Sequence, residues 1–228
     1  MVKGKRLRDA LKDFDFKKSY NLHEALEFIK GVPATKFDQS LELSLHLGVN
    51  PKKADQMVRG TVSLPHGSGK DVKILVFAKG DKAKQAEDAG ADFVGSDELQ
   101  AKVKAGFKDF NVVIATPDQM RIVGQLGKVL GPRGLMPSPK AGTVTTNVSD
   151  AIKDLKSGKI EFKVDKNSNI NLMLGKLSFS LEHLVDNVKS VVHAVMRMRP
   201  ASLKGSMVES IHLSSTMGPG IRIDPQTI

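Results

Sequence analysis

Residues 64–78 read LPHGSGKDVKILVFA, and the fold turns on them because the pattern of the chain changes on either side. Before Leu64 the apolar residues alternate. Ser40 to Leu47 sets Leu41, Leu43, Leu45 and Leu47 on one face and Ser40, Glu42, Ser44 and His46 on the other, the mark of a half-buried strand. Met57 to Leu64 is a second strand candidate, with Gly48 and Asn50-Pro51 supplying turn signals between the two. Asp71 to Ala78 is instead nearly continuous in Val72, Ile74, Leu75, Val76 and Phe77, as a strand covered on both faces must be.

The chain keeps this second pattern as far as Lys156. A helix over Lys82 to Ala89 with Asp81 as its cap, a strand over Asp92 to Val94, a helix over Asp97 to Ala105, a strand over Asn111 to Ala115 and a helix over Pro117 to Leu126 alternate at the pitch of a parallel, helix-covered sheet. Ser149 to Lys156 adds one more helix, ended by Ser157-Gly158. The first pattern then returns. Lys159 to Val164 and Ile170 to Leu174 predict a hairpin around Asp165 to Ser168. Leu181 to Met198 predicts a long amphipathic helix, and Val208 to Ser215 and Ile221 to Ile223 two strands. Near the start, Asn21 and Glu24 in capping positions open a helix over 22–30, stopped by Gly31 and Pro33. The expected fold is α/β and α+β in two domains. An α+β split β-α-β domain is built from 1–67 and 160–228, and a Rossmann-like three-layer α/β domain, 68–159, is inserted into it. Gly67, Gly69 and Gly158 at the two crossings are the expected hinge.

The 228 residues carry 35 Lys and Arg against 25 Asp and Glu, a net charge of +10 that favours a polyanionic partner. Membrane surface and nucleic acid both qualify on charge. The first 18 residues could lie on a membrane as a basic amphipathic segment, although Asp9, Asp13 and Asp15 interrupt them. No apolar run has the roughly 20 residues of a membrane span, and the chain starts without the apolar core of a secretory signal. A cytoplasmic location is the expectation. With no cysteine there is no disulfide, thiolate metal site or Cys nucleophile.

Two glycine-rich loops invite comparison with phosphate cradles. GPRGLMPSPKAG, residues 131–142, lacks the Gly-Lys-Ser/Thr end of a P-loop, since Ala141 follows Lys140. Gly67-Ser68-Gly69-Lys70 has Asp71 where the hydroxyl belongs, and it precedes a strand where a dinucleotide fingerprint follows one. A rigid turn suits the 131 loop better than a nucleotide site. Histidines 23, 46, 66, 183, 193 and 212 show no metal-ligand spacing, with His46 and His212 expected solvated on polar strand faces. No cofactor and no metal is expected, and nothing resembles a catalytic site. With aromatics at 5% and no tryptophan, an RNA site would read shape and backbone more than stacked bases. Lys36 to Ser40 suits that task, with Phe37 read alternatively as a core residue. So does Ser214 to Gly220, where hydroxyls and glycines allow a close approach to phosphate or ribose.

Four stretches in order, Lys36-Phe37-Asp38, Val58 to Gly67, Leu130 to Pro137 and Ser215 to Pro219, resemble the bacterial large-subunit ribosomal protein L-one family. The resemblance runs essentially end to end and includes the inserted domain. It implies a non-enzymatic protein of the cytoplasmic ribosome that binds large-subunit rRNA and forms the mobile stalk beside the tRNA exit site. It further implies help in releasing deacylated tRNA, repression of its own operon through an mRNA leader, and a monomer when free. Carried over by position, Lys36, Phe37, Ser40, Glu42, Ser215, Thr216, Met217 and Gly218 would form the main rRNA and mRNA surface, with Asp165 and Lys166 joining it. Lys52, Lys53, Arg133 and Lys140 are the candidate tRNA contacts. Two rival readings remain open at this point: a nucleotide-dependent enzyme using the inserted domain, and a membrane-surface adaptor using the first 18 residues.

Overall fold

The computed structural model describes residues 7, 11, 14–15, 18–32 and 35–228. Pro33 and most of the stretch considered for membrane binding, 1–18, lie outside them. In chain order the elements are α1 (Leu22–Gly31), β1 (Ser40–Leu47), β2 (Arg59–Ser63), β3 (Ile74–Phe77), α2 (Asp81–Asp88), β4 (Phe93–Gly95), α3 (Asp97–Lys104), β5 (Val112–Ala115), α4 (Met120–Gln125), α5 (Gly127–Leu130), α6 (Val148–Lys156), β6 (Lys159–Lys163), β7 (Asn169–Lys176), α7 (Leu181–Arg197), β8 (Val208–Ser215) and β9 (Gly220–Ile223). They divide into two compact units, Met1–Gly69 with Ile160–Ile228, and Lys70–Lys159.

The terminal unit is built on a four-stranded antiparallel sheet in the order β7-β1-β8-β9. The leucines at 41, 43, 45 and 47 are all buried, because the two-residue period of a strand puts them on one side. They meet Leu22, Ala25, Leu26 and Ile29 of α1 and Leu184, Val188, Val191 and Val195 of α7 in a single core. Since β7 and β8 flank β1 and both run antiparallel to it, the β7-α7-β8 connection straddles β1, and this is a split β-α-β unit. Asn21 caps α1 by accepting the His23 N–H; Ser180 caps α7 in the same way through His183.

The inserted unit has a three-stranded parallel sheet in the order β4-β3-β5. Its continuous apolar strand feeds two cores at once. Leu75 and Phe77 pack with Leu99, Val103, Val123, Leu126 and Leu130, while Ile74 and Val76 pack with Ala86, Val148 and Ile152. The unit is therefore three layers, with α3, α4 and α5 on one face of the sheet and α2 and α6 on the other.

Several local expectations change. Lys159–Lys163 and Asn169–Lys176 do not form a hairpin. The 165–168 turn exists, with the Ser168 N–H donating to Asp165 O, but β7 pairs with β1 while β6 pairs with β2 in a separate two-stranded sheet. A turn fixes only the local reversal, and the strand beyond it goes where its apolar face can be buried. Asp81 is the first residue of α2, and the capping position belongs to Gly80. The helix expected over 117–126 starts as a single 3-10 turn, Pro117–Gln119, before α4. His66 and His183, distant in sequence, stack with ring centroids 3.8 Å apart, and His66 Nε2 lies 3.2 Å from Asp186 Oδ2. Among the described residues no group of three or more His, Cys, Asp or Glu side chains is placed to hold a metal, and no helix is long and apolar enough to cross a membrane.

Candidate RNA interface

The two best stretches for RNA, far apart in sequence, meet at one end of the four-stranded sheet. Ser40 opens β1 and Ser215 closes β8, and the register sets Leu41 opposite Ser215 and Glu42 opposite Ser214. Thr216 then fastens the two strand ends together. Its Oγ1 accepts the Ser40 N–H at 3.0 Å, and its own N–H donates to Ser40 O at 3.2 Å. The hydroxyl of Thr216 is thus committed to the protein backbone while the residue itself faces solvent. Whatever Thr216 offers a ligand, it positions the turn.

Beside this clasp the remaining residues are held in an open arrangement. Phe37 is 53% exposed and Met217 54%, so the core reading of Phe37 is wrong: the aromatic ring lies outside the packed interior. Gln39 is buried and its Oε1 accepts the Met217 N–H at 3.0 Å, which ties the 36–40 segment to the 216–218 turn. Asp38 accepts from the Ser178 hydroxyl at 2.8 Å, and Lys176 Nζ reaches Asp38 O and Ser40 Oγ, each at 3.4 Å. Thr35 Oγ1 donates to Phe37 O at 2.7 Å. Lys176 and Ser178 hold the surface without having been singled out from sequence, and Asp38 and Gln39, inside the stretch that was, turn out to hold it too. The signal for Gln39 was a polar residue at the last position before an alternating strand, and for Lys176 and Ser178 there was none.

The hydroxyl of Ser215 is buried and lacks a hydrogen-bond partner among the described residues, and an added Cβ on Gly218 would overlap it. Glycine at 218 therefore lets the turn close over a serine. Gly218 N–H completes the turn by donating to Ser215 O at 3.0 Å.

Asp165 and Lys166 are not in this cluster. They lie at the far end of β1, where Asn169 is opposite His46, and the strand between measures roughly 23 Å for its seven steps. The Asp165 carboxylate accepts the Asn167 and Asn169 N–H groups, each at 2.8 Å. These bonds, led by that of Asn169, hold its pKa below the ordinary carboxylate value. Lys52 and Lys53 share that end of the sheet: both are exposed on a turn whose neighbour Val49 accepts the Ser168 hydroxyl at 2.8 Å. Between the two ends runs the polar face of the sheet. Ser44 donates to Asn171 Oδ1 at 2.8 Å, His46 pairs with Asn169 at 2.7 Å, and His212 lies opposite Arg222. Burial, and secondarily the Arg222 charge, lowers the pKa of His212, so this histidine is less solvated than its strand position suggests.

On the inserted unit Arg133 donates to Lys108 O at 3.2 Å and its guanidinium lies 5.1 Å from the centre of the Phe110 ring, while Lys140 is exposed. Gly67, Gly69 and Gly158 have φ of 67°, 64° and 103°. Gly67 is not loose: the fully buried Asn187 donates to its carbonyl at 3.0 Å and to Leu174 O at 2.8 Å, and accepts the His66 N–H at 3.3 Å.

A split α+β unit that presents an exposed aromatic and methionine on a fixed strand end, interrupted by a three-layer α/β unit, describes a two-unit binding scaffold. The chain belongs to the ribosomal protein L1p/L10e family, whose sequence model matches residues 25–219. It is 57% identical to the large ribosomal subunit protein uL1 of Protochlamydia amoebophila, over 97% of this chain and 94% of that protein. Proteins of the same name from Chlamydia caviae and Bifidobacterium longum subsp. infantis are 54% and 53% identical, covering 99% and 100% of this chain and 97% and 100% of their own lengths. The chain is a ribosomal protein and not an enzyme.

Proposed function

We propose that the chain is a structural constituent of the large ribosomal subunit in the cytoplasm. It binds a folded segment of large-subunit rRNA through the β1 and β8 end of its terminal unit and forms the mobile stalk beside the tRNA exit site. The same surface takes a leader in its own mRNA and represses its operon when free protein, a monomer, is in excess. The stalk assists release of deacylated exit-site tRNA, with Lys52, Lys53, Arg133 and Lys140 as contacts and Gly67, Gly69 and Gly158 at the crossings as the hinge, Gly67 being its fixed end where Asn187 holds it. The observation that carries the rRNA reading is the reciprocal Ser40–Thr216 clasp, which holds Phe37 and Met217 outward beside Lys36, Glu42 and the bare Gly218 backbone. Hydroxyls, backbone and one aromatic suit a folded RNA read by shape and 2′-OH groups.

Binding of the full chain to a large-subunit rRNA fragment tests this. Phe37→Ala weakens binding by about 1 to 3 kcal/mol through the lost stacking face, and Thr216→Val by about 1 to 3 kcal/mol because the Ser40 N–H loses its partner and the two strand ends are no longer clasped. Unchanged affinity in both, with an unchanged melting temperature, overturns the surface. Competition between rRNA and mRNA-leader fragments for one site tests the repressor role.

A further inference from the structure

We infer that Met217 is a reversible oxidation site: a peroxide converts its thioether to the sulfoxide in the free chain, and the RNA surface of the terminal unit then binds more weakly. The inference rests on the rRNA reading of that surface and adds a chemical control to it. Its first support is the kind of side chain left accessible. The chain has no cysteine, so no thiolate competes for an oxidant and the thioethers are its oxidisable sulfurs. Among the described residues the exposed large apolar side chains are Phe37 and four methionines, and Met217, at 54%, is the most open of the five. Met207, by contrast, is buried, and Met120 and Met136 pack against a core of the inserted unit.

The second support is where the fold places it. Met57 leads into β2, and Met196 and Met198 lie at the end of α7, where Met198 fills the space that a Cβ on Gly60 would need. Oxygen added to these three lands away from the joined ends of β1 and β8. Met217 is on the turn itself. Its N–H donates to Gln39 Oε1 at 3.0 Å. Thr216 before it is bound to Ser40 through side chain and main chain, and Gly218 after it has no room for a Cβ beside Ser215. The main chain on both sides is therefore fixed, and the side chain is presented from one place, on the turn to which the Phe37 segment is tied.

The chemistry is a two-electron oxygen transfer. A lone pair on the Met217 sulfur attacks one oxygen of hydrogen peroxide and the O–O bond breaks. That oxygen stays on sulfur, its proton passes to the departing hydroxide, and water leaves; sulfur is oxidised and the peroxide is reduced. The product replaces a flexible apolar side chain with a polar, chiral one. Pressing the S=O group against RNA strips it of water, which weakens binding by about tenfold. RNA already in place covers the thioether, so the oxidant acts on the free chain and spares the bound one. Reduction of both sulfoxide epimers restores the surface.

The test treats the full chain with hydrogen peroxide, follows each methionine by peptide mass spectrometry, and measures affinity for the large-subunit rRNA fragment before and after. Met217 should oxidise at least as fast as Met57, Met196 and Met198. The treated chain should bind about tenfold more weakly, and the two methionine sulfoxide reductases together should reverse the loss. A Met57→Leu/Met196→Leu/Met198→Leu variant should lose affinity on treatment as the parent does. Met217→Leu, whatever its starting affinity, should keep that affinity on treatment. In the preformed RNA complex Met217 should oxidise more slowly while the other three keep their rates. The inference is overturned if Met217 stays reduced while the other three react, if the chain binds as before with Met217 oxidised, if Met217→Leu loses affinity on treatment as the parent does, or if RNA gives Met217 no protection. Untreated Phe37→Ala and Thr216→Val judge the surface reading separately: weakened binding in both, with no effect of oxidation at Met217, overturns this inference and leaves that reading standing.

Discussion

The two units use the same kinds of residue in opposite ways. In the terminal unit one face of an antiparallel sheet is buried and the other is polar, so the backbone-rich ends of its strands are left open as a candidate binding surface, which Ser40, Gln39 and Thr216 hold in place. In the inserted unit the strands of the parallel sheet are covered on both faces, so Ile74, Leu75, Val76 and Phe77 are all fully buried and the sheet presents no open face. Whatever this unit binds must be met by its helices and loops, and its unpaired charge is found there. A sheet open on one side can recognise shape with hydroxyls and main chain; a sheet covered on both sides leaves recognition to charge.

The largest expected effect separates the units as folding bodies. Phe77→Ala removes a fully buried ring from the inserted core and should destabilise that unit by about 3 to 5 kcal/mol. Hydrogen exchange should show loss of protection across β3, β4 and β5, with β1, β7 and β8 unaffected. Equal loss in both units would show one cooperative body and break the comparison. Next in size is Gly218→Ala. Its Cβ overlaps Ser215 Oγ, so the turn must shift, and rRNA affinity should fall about tenfold, near 1.4 kcal/mol, with little change in melting. Smaller still is the effect of replacing 70–159 by a short linker: the terminal unit has its own core, and filter binding should show most of the rRNA affinity retained. Loss of binding by that shortened chain, still folded by circular dichroism, would move the main RNA surface to the inserted unit.

The contrast between the units was legible from the change of period across Leu64 to Ala78, because burial on one face or two writes different apolar patterns. So were the leucine face of β1 and the long α7. Pairing partners were not. The sequence shows a turn at Asp165 to Ser168 but not that β6 leaves to join β2, since that choice is made by long-range burial. The candidate site was legible at its ends, Lys36-Phe37 and Ser215 to Gly218, where residue types are unusual. The supports were hidden: Lys176 and Ser178 act only through neighbours that folding brings to them, and the bonds that Gln39 and Thr216 make appear only when Met217 and Ser40 are placed beside them. The stacking of His66 on His183 was invisible for the same reason.

The smallest expected effect uses a further asymmetry. All six histidines lie in the terminal unit and none in 70–159. The pKa of His212 is lowered from 6.5, by burial first and by the Arg222 charge second. In the unfolded chain it takes up a proton near the ordinary value, but in the folded sheet it resists until lower pH. Stability from the neutral ring is thus fully present above about pH 6.5 and is lost as pH falls from there through the folded pKa. The His212 ring protons should titrate by NMR with a midpoint below 6.5. Arg222→Gln should raise that midpoint only part of the way, because burial is the larger cause and the substitution leaves Ser44 and the rest of β1 opposite the ring. A full return to the ordinary value would mean that charge outweighs burial on this face. If the inserted unit's melting transition moved with pH over the same interval, its stability would depend on the terminal unit, and the units could no longer be treated separately.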